Sequence, residues 1–282
     1  MRRRFNLAQG PFLCRHGPDS IILRKKIDSI YEYWHWRKDM LIINADDWGR
    51  NRNVTENSLA CFRNGRITSA SAMVFMADSE KAADLAKEYG ISTGLHLNFT
   101  LPFDGRTTSM RLLDAHRRIA SFLTVNKYCS VLYNPTLRRD FQYVYAAEHE
   151  EYVRLYGKEP AHIDGHHHMH LCTNMLVGDI IPRGTKVRRS FSLLAGEKAV
   201  LNLVYRQVVN RVVERRYLCT DLFFSIDPYR NIQRLKDILR HASSLKVEIM
   251  VHPERKEEFA WLMSDRFAEI ISGVVKGSYA SL

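Results

Sequence analysis

Met40-Leu41-Ile42-Ile43-Asn44-Ala45-Asp46-Asp47 is an apolar run that ends in two adjacent carboxylates. A short apolar segment bounded by polar residues fits a strand buried on both faces, so residues 40–45 are expected as a buried strand. Neighbouring carboxylates repel each other and persist where a cation or a proton neutralises one of them. The plain alternative is a helix N-cap, since a helix is expected to begin a few residues later. A strand that delivers polar groups at its C-terminal end is the recurring unit of parallel α/β folds.

Outward from this run the same unit repeats. Strands are expected at residues 70–75, 92–99, 161–164, 186–190, 222–226 and 246–251. Helices are expected at 54–64, 78–89, 137–156, 199–217, 231–242 and 257–272. Strands alternating with helices imply a parallel sheet with crossover helices. Six or seven such units over about 240 residues suffice for a closed or nearly closed barrel. Residues 101–135 show no clear period and are expected as an insertion or lid. The expected architecture is therefore a single α/β, (β/α) barrel-like domain at residues 40–282. Ahead of it stands a separate extension at residues 1–39.

The extension carries nine Lys and Arg against four Asp and Glu, so nearly half of the net charge of +11 lies there. Ile22, Leu23, Ile27, Ile30, Tyr31 and Trp34 are spaced as on a basic amphipathic helix. The simplest expectation is a helix packed on the domain, with peripheral contact with an anionic surface as the alternative. Met1-Arg2-Arg3-Arg4 is basic like the start of a signal peptide, but the residues after it are too polar for a leader core. Five cysteines without a CxxC pair argue against a disulfide framework or a thiolate zinc site, and no apolar run approaches a membrane span. A cytoplasmic protein is expected. With 45% hydrophobic and 26% charged residues, disordered, collagen-like and coiled-coil chains are excluded.

Four polar clusters fall at expected strand ends: Asp46-Asp47, His96 within Gly94-Leu95-His96-Leu97, the run from His162 to His170, and His252-Pro253. Strand ends from distant parts of the chain converge on one mouth in such folds. His162-Ile163-Asp164-Gly165-His166-His167-His168-Met169-His170 is the strongest signal, because neutral imidazole is the commonest metal-binding side chain. Gly165 permits a sharp turn, and Asp164 is placed to orient a ligating imidazole. The plain reading of the run is a solvated His-rich loop. His96 alone would more often be a satisfied barrel residue. On a period-2 strand it shares a polar face with Asn98 and Thr100, which can point into the mouth. Pro253 keeps His252 out of the helical region and so sets where its ring points. Two carboxylates and three or more imidazoles without a thiolate suit Zn²⁺ or another first-row divalent ion, and Mg²⁺ less comfortably. With no phosphate-binding glycine loop and no GxSxG, metal-assisted hydrolysis is the expected class.

Read together, these motifs resemble the YdjC-like carbohydrate deacetylases. The family's opening NADD(F)G matches Asn44-Ala45-Asp46-Asp47-Trp48-Gly49, and its NG-x-x-TS turn matches Asn64 to Ser69. Its G-x-H strand matches Gly94-Leu95-His96, its histidine segment matches His162 to His170, and its late HP matches His252-Pro253. Gly277-Ser278-Tyr279 resembles the closing strand. The resemblance implies a distorted TIM-type barrel related to polysaccharide deacetylases, often dimeric. It also implies removal of acetyl groups from N-acetylated sugars. By the same resemblance a divalent ion, Zn or Mg, would be bound by Asp47, His96 and His166. Asp46 would be the general base, and His252 would protonate the leaving amine or support the oxyanion. The implied partner is an acetylated amino sugar rather than nucleic acid. Trp48 stands where the family usually has Phe and is expected to reshape the mouth. A metal-dependent phosphoesterase on the same barrel is the alternative enzyme. A non-enzymatic glycan or membrane-surface binding protein is the alternative that needs no chemistry.

Overall fold

In the computed structural model, residues 39–106, 109–126, 128–193, 200–226 and 231–282 are described. The basic segment 1–38, with its expected amphipathic helix, lies outside them. β1 (Met40–Trp48) is buried along its whole length. It is followed by α1 (Arg52–Arg63), β2 (Ser69–Ala72), α2 (Ser79–Tyr89) and β3 (Ser92–Leu97). Then come α3 (Met110–Leu123), α4 (Arg138–Tyr156), β4 (Ile163–Gly165) and α5 (Thr173–Gly178). The chain continues through α6 (Val200–Arg216), β5 (Leu222–Ser225), α7 (Ile232–His241), β6 (Lys246–Val251), α8 (Lys256–Met263) and α9 (Asp265–Ile271).

The sheet is parallel throughout, with strand order β4-β3-β2-β1-β6-β5. The expected seventh strand at 186–190 is not a regular strand, yet the segment joins the two sheet edges. Ile163 N donates to the Lys186 carbonyl, Val187 N to that of Leu218, and Ser192 N to that of Phe223. The fold is an α/β, barrel-like array curled around an interior.

The period of two along β1 explains the layering. Leu41, Ile43 and Ala45 join the large apolar core. Met40 and Ile42 face the other way and pack with Tyr279 in a small second cluster. Burying each such Ile or Leu contributes about 2–3 kcal/mol. Further along the inner face the side chains become polar: Asn44, Asp46, Ser69, Ser71, Asp164 and Glu248 are all at most 2% exposed. The interior is thus apolar at its base and charged toward the strands' C-terminal ends.

Several expectations are corrected. Residues 101–135 contain α3, with Ser109 as its side-chain N-cap. Leu112, Ala115, Ile119 and Leu123 form its buried face, a helical spacing masked by the intervening arginines. The expected helix at 257–272 is two helices, because Ser264 is extended and caps α9 through its side chain. The strands expected at 70–75 and 92–99 stop at Ala72 and Leu97. Trp48 does not shape the mouth: it is fully buried, and its indole N–H donates to the Ala82 carbonyl of α2 at 3.2 Å.

Candidate active site

Each candidate residue sits where β1, β3, β4 or β6 ends. The chain irregularity after Ala45 breaks the β1–β2 register. At Asp47 the backbone takes φ +64°, uncommon for a residue other than glycine. Strict alternation would send Asp47 toward the helices. The left-handed turn instead brings its carboxylate to the imidazoles. Such strain persists only when surrounding contacts hold it, and it concentrates at functional sites.

Asp47 Oδ1 lies 2.8 Å from His166 Nδ1 and 3.2 Å from His96 Nε2. Its Oδ2 accepts from Arg50 at 3.1 Å, at the rim. Burial opposes the Asp47 charge, but hydrogen bonds from His166 and His96 outweigh it and hold the carboxyl well below the usual range. Burial likewise opposes charge on His96, and the Asp164 carboxylate beside it wins, raising the imidazole well above its ordinary value. His96 Nδ1 is 2.8 Å from Asp164 Oδ1. The ring therefore turns Nε2 toward Asp47, the carboxylate-oriented arrangement typical of metal-binding histidines.

Asp46, the neighbouring residue, lies in different company. Both its oxygens accept from Arg188, at 2.7 Å each, and Asn44 Nδ2 donates to Oδ1 at 3.0 Å. Arg188 is fully buried and also meets Asp164 at 2.6 Å and Glu248 at 2.8 Å. Tyr279 hydroxyl donates to Glu248, and Ser71 hydroxyl donates to Asp164 at 2.7 Å. Burial pushes the Glu248 carboxyl up despite Arg188. His162 lies flat against Tyr279, with ring centroids 3.9 Å apart. A Cβ at Gly94 would stand 2.3 Å from the His162 ring, so only glycine fits there.

The histidine run divides. His166 turns inward to Asp47. His167 and His168 take φ +54° and +60°, and these successive left-handed residues reverse the chain. His170 turns away and donates from Nε2 to the Arg188 carbonyl at 3.0 Å, and burial lowers its imidazole to about 4. His252 follows β6, whose last residue, Val251, is in register with Ala45. Its backbone N–H donates to Glu258. Burial lowers its imidazole, against the opposing charges of Asp46 and Asp47.

The donor set fits a cation. One ligand atom from each of Asp47, His96 and His166 lies within 4.8 Å of the others, and all three residues are buried. Three protein ligands leave coordination positions for water and substrate, as in catalytic zinc sites. Asp46, His96 and Asp164 also lie this close together. There, however, Arg188 already occupies the carboxylates. Asp46, Asp164 and Glu248 share this single fully buried guanidinium, whereas Asp47 meets Arg50 at the rim. Arg188, Glu248 and Tyr279 were not anticipated as members of this network. The signal available was a glutamate inside the apolar run Val247-Glu248-Ile249; Arg188 lies in the basic stretch Lys186-Val187-Arg188-Arg189, where nothing marks it out. Among the described residues, no helix is long and apolar enough to cross a membrane.

A family model described as YdjC-like protein matches residues 40–273. Chitooligosaccharide deacetylases of Yersinia pestis and Yersinia enterocolitica are 31% and 29% identical over 134 residues, which is 47% of this chain and 51% of each relative. The chain thus spans about half the length of the curated relatives it matches. A solved structure from Enterococcus faecalis, named for cellobiose-phosphate cleavage, shares the fold with a TM-score of 0.62 at 19% identity, over 86% of this chain and 98% of that one.

Proposed function

The chain belongs to the YdjC-like family, and from that premise we propose that it is a metal-dependent hydrolase removing the acetyl group of an N-acetylated sugar, oligosaccharide or glycolipid. The supporting observation is the pairing of two sites at one mouth. Asp47, His96 and His166 offer ligand atoms to one ion, and Asp46 is held beside them by Arg188. The name of the curated relatives, chitooligosaccharide deacetylase, points to the same substrate class.

Asp47, His96 and His166 would hold a divalent cation, Zn or Mg. When bound, such an ion polarises the acetyl carbonyl and acidifies the attacking water. Asp46 takes the proton from that water as its oxygen adds to the carbonyl carbon. Oδ1 accepts from both Arg188 and Asn44, whereas Oδ2 accepts from Arg188 alone and keeps a further lone pair for this proton. Arg188 and Asn44 fix the carboxylate in place, so little ordering is left for the moment of reaction. Collapse of the adduct breaks the C–N bond. The proton that Asp46 took passes to the departing amine by way of the His252 ring, whose burial disfavours keeping it, and acetate leaves. Arg50, at the rim on Asp47, screens the carboxylate from solvent.

Acetate release from N-acetylglucosamine oligomers and acetylated glycolipids, with and without chelator, tests this reading. The expected result is release that stops with chelator and returns with Zn²⁺ or Mg²⁺. The metal-loaded protein releasing no acetate from any acetylated amino sugar, while freeing phosphate from an aryl phosphate, sinks it in favour of the phosphoesterase.

A further inference from the structure

α6 carries more apolar surface than its packing uses. Val209 and Val213 are buried in the core. Val204, Val208, Arg211 and Arg215 recur at helical spacing (i, i+4, i+7, i+11) on the opposite side. Both Val204 and Val208 are more than half exposed. A helix packed along one face ordinarily keeps its outer face polar, so the two valines are apolar surface that the domain itself does not cover.

Two neighbouring segments extend this face. Ser130 lines the same cavity of about 210 Å³ as Asn202 and Tyr205, so the segment 128–134 and α6 form two walls of one opening. That segment exposes Val131, Leu132 and Tyr133. Asn134 and Asn174 exchange hydrogen bonds of 3.0 and 2.7 Å, which tie the segment to α5. Arg216, at the end of α6, donates to the Leu176 carbonyl of α5. Between these ties Val177 is more than half exposed. The apolar residues thus lie along one side of the mouth, where His167 and His168 line the cavity directly after His166. Exposed apolar residues scattered singly are ordinary, whereas a contiguous group of them marks an interaction surface.

The charge around this surface selects its occupant. Acidic groups on these segments are already taken: Asp179 by Arg183 and Arg216, Glu214 by Arg189, and Asp140 by Arg118. Arg211 and Arg215 on α6, and Arg138 and Arg139 at the start of α4, pair with no carboxylate among the described residues, and all four are exposed. A second copy docked through this face would set arginine against arginine. Residues 1–39, with nine Lys and Arg against four Asp and Glu, would be repelled in the same way. Valine, leucine and tyrosine bordered by arginine is the composition of a surface that lies in the headgroup layer of an anionic membrane.

We propose that this face docks peripherally on an anionic lipid bilayer. Val204, Val208, Leu132 and Tyr133 enter the headgroup layer, and the arginines meet lipid phosphates. The contact belongs to the folded domain rather than to residues 1–39, and it holds the mouth at the membrane plane. It goes beyond the deacetylase reading and stands whichever reaction the site performs.

Cosedimentation of the full chain with vesicles tests this. Vesicles of equimolar phosphatidylglycerol and phosphatidylcholine are expected to pull the protein down, and vesicles of phosphatidylcholine alone to leave it in solution. Each arginine near an anionic surface is worth about fivefold in partition, so Arg211→Gln with Arg215→Gln should weaken binding about 30-fold and leave the remainder less sensitive to salt. Val204→Ser with Val208→Ser should weaken it about tenfold. Leu132→Ser, on the other wall, should act in the same direction. All these side chains are exposed, so the urea unfolding midpoint should stay that of the wild type, which separates lost docking from lost fold. A wild type that does not bind anionic vesicles overturns the proposal. So does binding that survives both pairs of substitutions, which would place the contact on residues 1–39. Self-association without vesicles that Val204→Ser with Val208→Ser abolishes gives the face to a second copy. Polyglutamate bound as tightly as the vesicles gives it to an acidic protein, and either result overturns the membrane assignment.

Discussion

Asp46 and Asp47 are adjacent in the chain and live in opposite environments. Asp46 faces inward, where Arg188 and Asn44 hold it among Asp164, Glu248 and Tyr279. Asp47 is turned by a left-handed backbone toward His96 and His166, where one carboxylate oxygen gathers two ring nitrogens. The inner region is a closed network in which each charge has a fixed partner. The outer region is a cluster of ligand atoms converging on one point, with Arg50 on Asp47 at its rim. In the proposed reading one strand end carries both a rigidly held base and a metal site: the first needs fixed partners and the second needs convergence. His96 joins the two, with Nε2 toward Asp47 and Nδ1 toward Asp164.

The sharpest way to break this division is to remove the base alone. Asp46→Asn is expected to lower kcat for acetate release by about 10³-fold, within the range for general-base loss. It should retain one metal ion per chain by elemental analysis. Loss of the ion together with activity would merge the two regions into one. Next, Arg188→Met leaves Asp46, Asp164 and Glu248 without their buried partner. The expected destabilisation is about 3–5 kcal/mol by urea unfolding, since breaking a buried pair strands its charges. An unchanged unfolding midpoint would show that the network is not structural. Asp164→Asn tests the bridge between the regions. Metal affinity should fall about 10–100-fold in a competitive chelator titration, the usual effect of losing a carboxylate that orients a ligating imidazole. No change in affinity would mean that His96 is oriented by packing alone.

Smaller effects sharpen the boundary. Gly94→Ala pushes a methyl into the His162 ring and should cost about 1–3 kcal/mol. Its expected signature is a lowered unfolding midpoint with metal affinity retained, because His162 belongs to the inner network. Acidification is the mildest probe. Burial lowers His116 and His170 to about 4 each. The unfolded chain therefore binds protons first, and stability falls as pH drops from the ordinary histidine value of about 6.5 toward 4. The expected slope is up to about 1.4 kcal/mol per pH unit for each such histidine. His116→Gln should make the dependence shallower in unfolding measurements at pH 6.5, 5.5 and 4.5. A slope identical to the wild type's would remove His116 from the acid response.

Much of the fold was legible because parallel strands are apolar runs and their helices follow with a clear period. β1, β3 and β6 were read near their observed bounds. α3 escaped because arginines break up the apolar face of Leu112, Ala115, Ile119 and Leu123. The 186–190 segment carries a strand's composition, yet it holds only isolated main-chain bonds to β4 and to Leu218. Ser264 divided the last expected helix because a capping serine is a local choice that apolar spacing does not reveal. Trp48 was expected to reshape the mouth, because it stands where the family usually has Phe. The strained turn at Asp47 sends Asp47 and Trp48 to opposite sides of the sheet.

The sequence by itself determined the α/β alternation and the strand ends on which polar groups collect, and its resemblance to a family pointed to Asp46, Asp47, His96, His166 and His252 as candidates. These are local properties: hydrophobic period, residue type and position relative to a strand end. Only the tertiary structure decided which carboxylate meets the guanidinium and which meets the imidazoles, and which histidine of the run turns inward. Arg188 lies 142 positions from Asp46 and 60 from Glu248. Pairings at that separation depend on how the sheet curls and on one backbone torsion at Asp47, and no pattern along the chain encodes either.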